Sequence, residues 1–261
     1  MAEIIFDTKP AVLAEELEQK LRILFEKSPA HGEQTIVIAI GGDGTMLHAI
    51  KQHAHLDPLF VGVSAGALGF LQTIEPEEIT QLVGALATGE YGIMRAPMLG
   101  VRQTGDSVSV YGFNDISIER AAARAAKFTL HIGDSTGRFV GDGVIFSTPL
   151  GSTAYSLAAG GPIVDANASD VFVVTPNNPH MSALYSSLQR PHILASDRVV
   201  KLSFDDSVSE RPLQLICDGH TVPIDFSQDL EIFLSDRSVS LIELTGSNWQ
   251  SHIESKRLGR N

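Results

Sequence analysis

The sequence predicts an N-terminal α/β domain followed by an all-β domain, and three observations predict it. Over residues 3–90, short apolar runs alternate with stretches of helical spacing, the pattern of a parallel sheet covered on both faces. The texture changes at Gly89–Pro97 (GEYGIMRAP), and beyond it strand-like segments separated by turn signals dominate, as in a sandwich of two sheets. The last residues, Ser247–Gly259, return to helical spacing, with Trp249 and Ile253 four apart as a buried stripe. The expected division is a Rossmann-like α/β domain over residues 1–95, a β-sandwich over 96–246 and a helical tail over 247–261 that packs back on the first domain.

Element by element, Leu13, Leu17, Leu21, Leu24 and Phe25 form one stripe of an amphipathic helix after Pro10. Thr35–Ile40 (TIVIAI) reads as a fully buried strand that runs straight into Gly41-Gly42-Asp43-Gly44-Thr45. Met46–His53 is helical in spacing, and Leu59–Ser64 (LFVGVS) is a second buried strand. Pro76 opens a further helix, with Glu75, Glu77 and Glu78 at its positive end. In the second half the expected strands are Leu99–Gln103, Val108–Phe113, Phe128–Ile132, Val171–Thr175, Val199–Phe204, Leu213–Cys217, Leu230–Leu234 and Val239–Leu244.

Composition narrows the function. Of 261 residues, 43% are hydrophobic and 19% charged, which excludes a disordered chain. The longest apolar runs are about six residues, against the ~20 of a membrane span, and no basic, apolar leader marks a secretory signal. Nineteen basic against 31 acidic residues leave a net charge of −12, a poor field for nucleic acid. A phosphorylated ligand must therefore be held by backbone N–H groups and a few placed cations. The single Cys217 excludes an intramolecular disulfide and a cysteine-based zinc cluster, and a reducing cytoplasm is expected. Cys217 itself reads as a small core residue, and His180 as a satisfied polar group. No histidine spacing suggests a metal site.

Gly41–Thr45 falls where a strand of an α/β sheet meets a helix, the place where such sheets bind ligands. Bare backbone at Gly41, Gly42 and Gly44, with Thr45, can line an anion site there. Asp43 repels a bare phosphate, so a carboxylate there suits the taking of a hydroxyl proton or partnership with a phosphate-bound Mg²⁺; the alternative is a cap on its own helix. Neither G-x-x-x-x-G-K-[ST] nor G-x-G-x-x-G is present. A second constellation is Gly141–Pro162 (GDGVIFSTPLGSTAYSLAAGGP), where Asp142, Ser152, Thr153, Tyr155 and Ser156 are polar groups among small residues. Tyr155 can pack on a flat ring with its hydroxyl hydrated. Asn114-Asp115, at the end of a strand, suits ring or ribose recognition, or else forms an Asx turn.

With these residues in view, the chain resembles the bacterial NAD kinases over nearly its whole length. The resemblance rests on GGDGT at 41–45, Leu68-Gly69-Phe70, Asn114-Asp115 and the segment 142–162. Pro179-His180, Arg190-Pro191, Asp218 and Lys256-Arg257-Leu258-Gly259 continue it. It implies transfer of a phosphoryl group from ATP, or polyphosphate, to the 2′-hydroxyl of the adenosine ribose of NAD. Mg²⁺ would ride on ATP rather than sit in a site of its own. By that resemblance Asp43 is the catalytic proton acceptor. Gly44, Phe70, Asn114, Asp115, Thr153, Ala154, Tyr155, Ser156 and Ala158 hold NAD, together with Arg124, His220 and Asp142, the last from its own or a neighbouring subunit. It also implies a homodimer or homotetramer. Leu150, Val140 and Ser64 depart from the family pattern. A lipid or sugar kinase sharing the glycine–aspartate turn, or a non-catalytic NAD(P)-binding sensor, are the rival readings.

Overall fold

A computed structural model describes residues 2–66, 69–180 and 188–244. The expected helical tail at 247–261, with Trp249 and Ile253, lies outside the described residues, as do Leu68 and the 256–259 match. The chain divides into two compact units: residues to Ala96 together with those from Val239 onward, and Pro97–Ser238.

The first unit runs β1 (Ile4–Thr8), α1 (Val12–Lys27), β2 (Ile36–Gly41), α2 (Asp43–His53), β3 (Leu59–Ser64), a 3-10 turn at Pro76–Glu78, α3 (Ile79–Thr88) and the start of β4 (Tyr91–Gln103). β1, β2 and β3 pair in parallel, Ile4 with Ile36 and Ile36 with Leu59, and Ser240 and Leu241 of the chain's last strand add to the far side of β3. Every residue of β2 and β3 is buried. That burial on both faces is why they read as unbroken apolar runs rather than alternating ones. Ala14, Leu17, Leu21 and Phe25 of α1 and Ile79, Leu82, Val83 and Leu86 of α3 pack with Ile38, Ile40, Val61 and Val63. Met46, Ala49 and Ile50 are the buried side of α2. Each Val, Leu, Ile, Phe or Met side chain among them contributes ~1.5–3 kcal/mol by leaving water. The helix signalled by Pro76 starts as the 3-10 turn, closed by a reciprocal Glu75–Glu78 capping box.

The second unit takes up the end of β4 and continues with β5 (Val110–Gly112), β6 (Asp115–Arg120), β7 (Ala126–Ile132), β8 (Ser135–Gly141) and β9 (Gly143–Ser147). A 3-10 turn at Leu150–Thr153 and the single-turn helix α4 (Tyr155–Ala158) follow. Then come β10 (Val171–Asn177), β11 (His192–Ala195), β12 (Val199–Ser203), β13 (Leu213–Cys217), β14 (His220–Val222) and β15 (Leu230–Leu244). Six strands form one sheet in the order β11-β10-β9-β6-β13-β14, and the path β15-β12-β7-β8 belongs to the other. Their facing sides share one core that includes Ile116, Ile118, Phe128, Phe139, Phe146, Phe172, Val200 and Leu215. This is the expected sandwich, with differences of detail. The segments 230–234 and 239–244 are one strand of 15 residues, whose C-terminal residues cluster with the first unit rather than with the 96–246 segment. β1, β6, β8, β9, β11 and β14 are strands beyond those the sequence predicts. In β8 polar residues crowd the exposed half, which hides the alternation, and β9 is the opening of the segment read as a ligand loop.

Candidate functional site

In the first unit the β2–α2 turn is built for close approach. A side chain at Gly41 would overlap the Thr45 hydroxyl, and Gly42, in extended conformation, is the N-cap of α2. Asp43 is the first residue of the helix, and its carboxylate does not cap that helix. It reaches instead to the loop after β3, where Oδ2 accepts the Phe70 N–H at 3.0 Å and Oδ1 accepts the Leu71 N–H at 2.8 Å. The capping alternative is thereby replaced by a clasp between two loops. Each oxygen keeps a further lone pair for another donor. Gln72, fully buried, donates to the Gly42 carbonyl at 2.8 Å and ties the same two loops again. Gly44 is exposed and Thr45 half-buried.

In the second unit the site grows from strand alternation. Ile116 and Ile118 of β6 point into the sandwich core, so Asp115, Ser117 and Glu119 share the opposite face. The register sets three rows across that face: Asp115, Ser147 and Val173; Ser117, Ile145 and Thr175; Glu119, Gly143 and Asn177. α4 meets the last two rows. Ser156 Oγ and Thr175 Oγ1 lie 2.8 Å apart, and Asn177 Nδ2 donates to the Tyr155 hydroxyl at 2.9 Å. Burial, then a hydrogen bond to Glu119, pushes the Tyr155 hydroxyl up to about 12. The hydroxyl expected to stay hydrated is thus held by the sheet beneath it, while the residue remains 37% exposed. Asp142 lies one residue beyond the third row, next to Gly143: Arg120 Nε donates to it at 2.7 Å and Asn178 Nδ2 at 2.8 Å. The Asn178 bond foremost, with Arg120, holds its carboxyl below the usual range.

Asn114 and Asp115 stand at the start of β6, both buried. They form no Asx turn of their own. Asp218, left-handed at φ 46°, accepts the Phe113 N–H at 2.8 Å on Oδ2, and on Oδ1 the N–H groups of Asn114 at 2.7 Å and Asp115 at 3.1 Å. On the other side Gly151 lies against Asn114 so closely that a side chain there would overlap the Asn114 carbonyl. Thr148 Oγ1 donates to the Phe113 carbonyl at 2.8 Å. Burial first, then the charges of Asp218 and Glu119, pushes Asp115 up to about 7.

The expected site residues of the second unit therefore meet on one face in part. Asp115 shares the strand rows with the partners of Tyr155 and Ser156, and Asp142 adjoins them. Thr153 is buried with its hydroxyl donated to the Leu150 carbonyl at 2.9 Å, so its side chain is spent on its own turn, as that of Ser156 is on Thr175. Ala154 is half-buried and Ala158 exposed. Arg124 pairs with Glu210 at 3.3 Å in an exposed contact, and His220 is exposed at the start of β14, opposite Cys217. Leu150, Val140 and Ser64, the three departures, are all buried. Asp218, Glu119 and Asn177 were assigned no role from the sequence. The alternation of Asp115-Ile116-Ser117-Ile118-Glu119 was the available signal for Glu119; nothing local signals Asp218, which works across more than a hundred residues of chain. Among the described residues no three His, Cys, Asp or Glu side chains converge as a metal-binding group, and no helix is long and apolar enough to cross a membrane.

Comparison with known proteins meets this geometry at both units. Residues 18–91 match the family described as the ATP-NAD kinase N-terminal domain, and residues 114–244 the ATP-NAD kinase C-terminal domain. An NAD kinase of Caldanaerobacter subterraneus subsp. tengcongensis is 34% identical over 239 residues, covering 87% of this chain and 82% of that protein. One from Chlorobaculum tepidum is 38% identical over 182 residues, 68% of this chain and 61% of that protein. Two solved structures share the fold: yeast NADH kinase complexed with NADH, at TM-score 0.81 and 20% identity, covering all of this chain and 88% of that one, and an Archaeoglobus fulgidus NAD kinase in complex with ATP, at TM-score 0.75 and 19% identity, covering 98% and 97%. The chain belongs to the ATP-NAD kinase family, phosphotransferases with an alcohol group as acceptor, and its activity is that of an NAD kinase.

Proposed function

We propose that the chain transfers the terminal phosphoryl group of ATP to the 2′-hydroxyl of the adenosine ribose of NAD, with Asp43 as proton acceptor. The observation that carries this reading is the Asp43 carboxylate itself, fixed by two backbone N–H bonds at the strand-to-helix turn yet with lone pairs to spare. The ribose O–H proton passes to Asp43 as oxygen bonds to phosphorus, the γ-phosphorus–oxygen bond breaks, and ADP leaves. Such general-base help is worth ~10²–10⁴ in rate. Gly41, Gly42, Gly44 and Thr45 line the phosphate path, where the start of α2 favours negative charge. Mg²⁺ enters on the phosphates of ATP as part of that substrate; among the described residues no cluster of carboxylates converges that would cage it alone. The same reading assigns Asn114, Asp115 and Tyr155 to the dinucleotide, together with Phe70, Ala154, Ala158, Asp142, Arg124 and His220. It also takes the enzyme to be cytoplasmic and a homodimer or homotetramer, a state that light scattering reads directly.

The test is NADP formation by purified protein with NAD, Mg²⁺ and either ATP or polyphosphate, beside Asp43→Asn. The variant is expected to bind NAD within a few-fold of wild type while turnover falls at least ~10²-fold. Near wild-type turnover in the variant would remove Asp43 from the base role. NAD binding without product from the wild type would make the chain a sensor.

A further inference from the structure

We propose that Asp218 is a positioning residue for dinucleotide recognition: its carboxylate fills a hollow lined by three successive backbone N–H groups and thereby sets the directions of the Asn114 and Asp115 side chains. The proposal rests on the assignment of those two residues to NAD. The geometry is specific. Phe113, Asn114 and Asp115 aim their N–H groups at one carboxylate, at 2.8, 2.7 and 3.1 Å. The Asp218 N–H returns a bond to the Asp115 carbonyl at 3.0 Å, so the two segments are locked in both directions. Three consecutive amides turned to one side form an anion-binding concavity, and here the chain supplies its own anion.

A latch that only held the strand together had less costly solutions, because burying a carboxylate is expensive unless its oxygens are well bonded. This one is buried beside another acid, Asp115, which in turn feels the charge of Glu119 on its own strand. Burial raises Asp218 above the usual carboxylate range, opposed by its three backbone bonds and by His220. The groups facing Asp115 are Asp218 from the β13–β14 turn, Glu119 from its own strand and the Tyr155 hydroxyl from α4; His220 of β14 acts on Asp218. A carboxylate in the hollow therefore does two things that a neutral side chain would not. It orients the pair by charge-assisted bonds, and it helps Asp115 keep its proton near neutral pH. A protonated Asp115 offers a donor as well as an acceptor to a bound ligand.

The experiment is steady-state kinetics of Asp218→Asn with the NAD and ATP arms measured separately and across pH, next to Asp218→Glu. Asp218→Asn is expected to raise the NAD KM at least ~10-fold with the ATP KM within about two-fold, and to move the pH midpoint of the NAD KM below that of the wild type. Asp218→Glu, which keeps the charge, is expected to hold that midpoint near the wild-type value. Equal rises in both KM values, or an unmoved midpoint, would reduce Asp218 to a structural latch. Where Asp218→Asn does not fold, Gly219→Ala serves, since it strains the left-handed turn (φ 78°) and leaves the carboxylate in place. It is expected to raise the NAD KM selectively, and an unchanged NAD KM overturns the proposal. An inactive wild type would fail the kinase reading instead, a result that no comparison among variants can mimic.

Discussion

Asp115 shows how a single residue couples the site to the fold. An aspartate in an unfolded chain titrates near ~3.9, and burial with two acidic neighbours pushes Asp115 up to about 7. Between those values the folded protein holds a proton that the unfolded chain has lost. Its stabilising contribution is therefore complete below the lower value and is lost as pH rises through the upper one. Asp115→Asn is expected to flatten that part of the loss. Between about pH 5 and pH 8 the wild-type melting temperature should fall further than that of the variant, as thermal unfolding at the two pH values will show. Tyr155 makes a different point. Its hydroxyl bonds to Asn177 and Glu119, so under the proposed NAD reading the exposed remainder is what meets the dinucleotide. Tyr155→Ala is expected to raise the NAD KM with the ATP KM unchanged; an unchanged NAD KM would count against a ring contact.

At the scale of elements, what matters is how the 148–161 segment sits on the outer face of the six-stranded sheet. Thr148 and Gly151 fasten it to the Phe113–Asn114 backbone, and Ser152, Thr153 and Ser156 spend their hydroxyls on bonds within the unit. The density of small and hydroxyl residues in STPLGSTAYS thus serves packing as much as recognition. Because the Asn114 carbonyl cannot move without dragging Asp115, Gly151→Ala is expected to cost about 2 kcal/mol or more and to weaken NAD binding together with stability. Thermal unfolding beside the NAD KM checks the pair, and a variant stable but weak in binding, or the reverse, would separate the two roles. In the first unit, the clasp from Asp43 to Phe70 and Leu71 is the corresponding device. It links the turn after β2 to the loop after β3, the two loops at the carboxyl ends of neighbouring parallel strands.

For the whole molecule, the chain's last strand sets the dependence between early and late sequence. Leu241, Ile242 and Leu244 are buried, and Ser240 and Leu241 pair in parallel with Leu59 and Phe60. A fragment of residues 1–96 would leave β3 as an open edge and Ile242 and Leu244 missing from its core. Such a fragment is expected to lack a cooperative unfolding transition, which circular dichroism on heating will show; a sharp transition would mean that the first unit closes its core without the return strand. The net charge of −12 acts at this scale too. A general basic field is absent, which is why the proposed phosphate path relies on oriented backbone at the start of α2.

Much of this protein was legible in its sequence because the signals are local. Unbroken apolar runs marked β2 and β3, a helical stripe marked α1, Pro76 with its flanking glutamates marked the start of the helix that becomes α3, and the glycine–aspartate turn announced a ligand site because a strand ran straight into it. The family followed from GGDGT and STPLGSTAYSLAAGGP, short segments whose residue types are fixed by close backbone approach. Only the tertiary structure decided what the polar groups do. That Asp43 clasps Phe70 and Leu71 rather than capping its helix, that Asp218 holds Asn114 and Asp115, and that Glu119 reaches Tyr155 all depend on which chain segments the sheets bring together. A carboxylate's partners are set by the nearest donors in space, and periodicity along the chain carries no record of them.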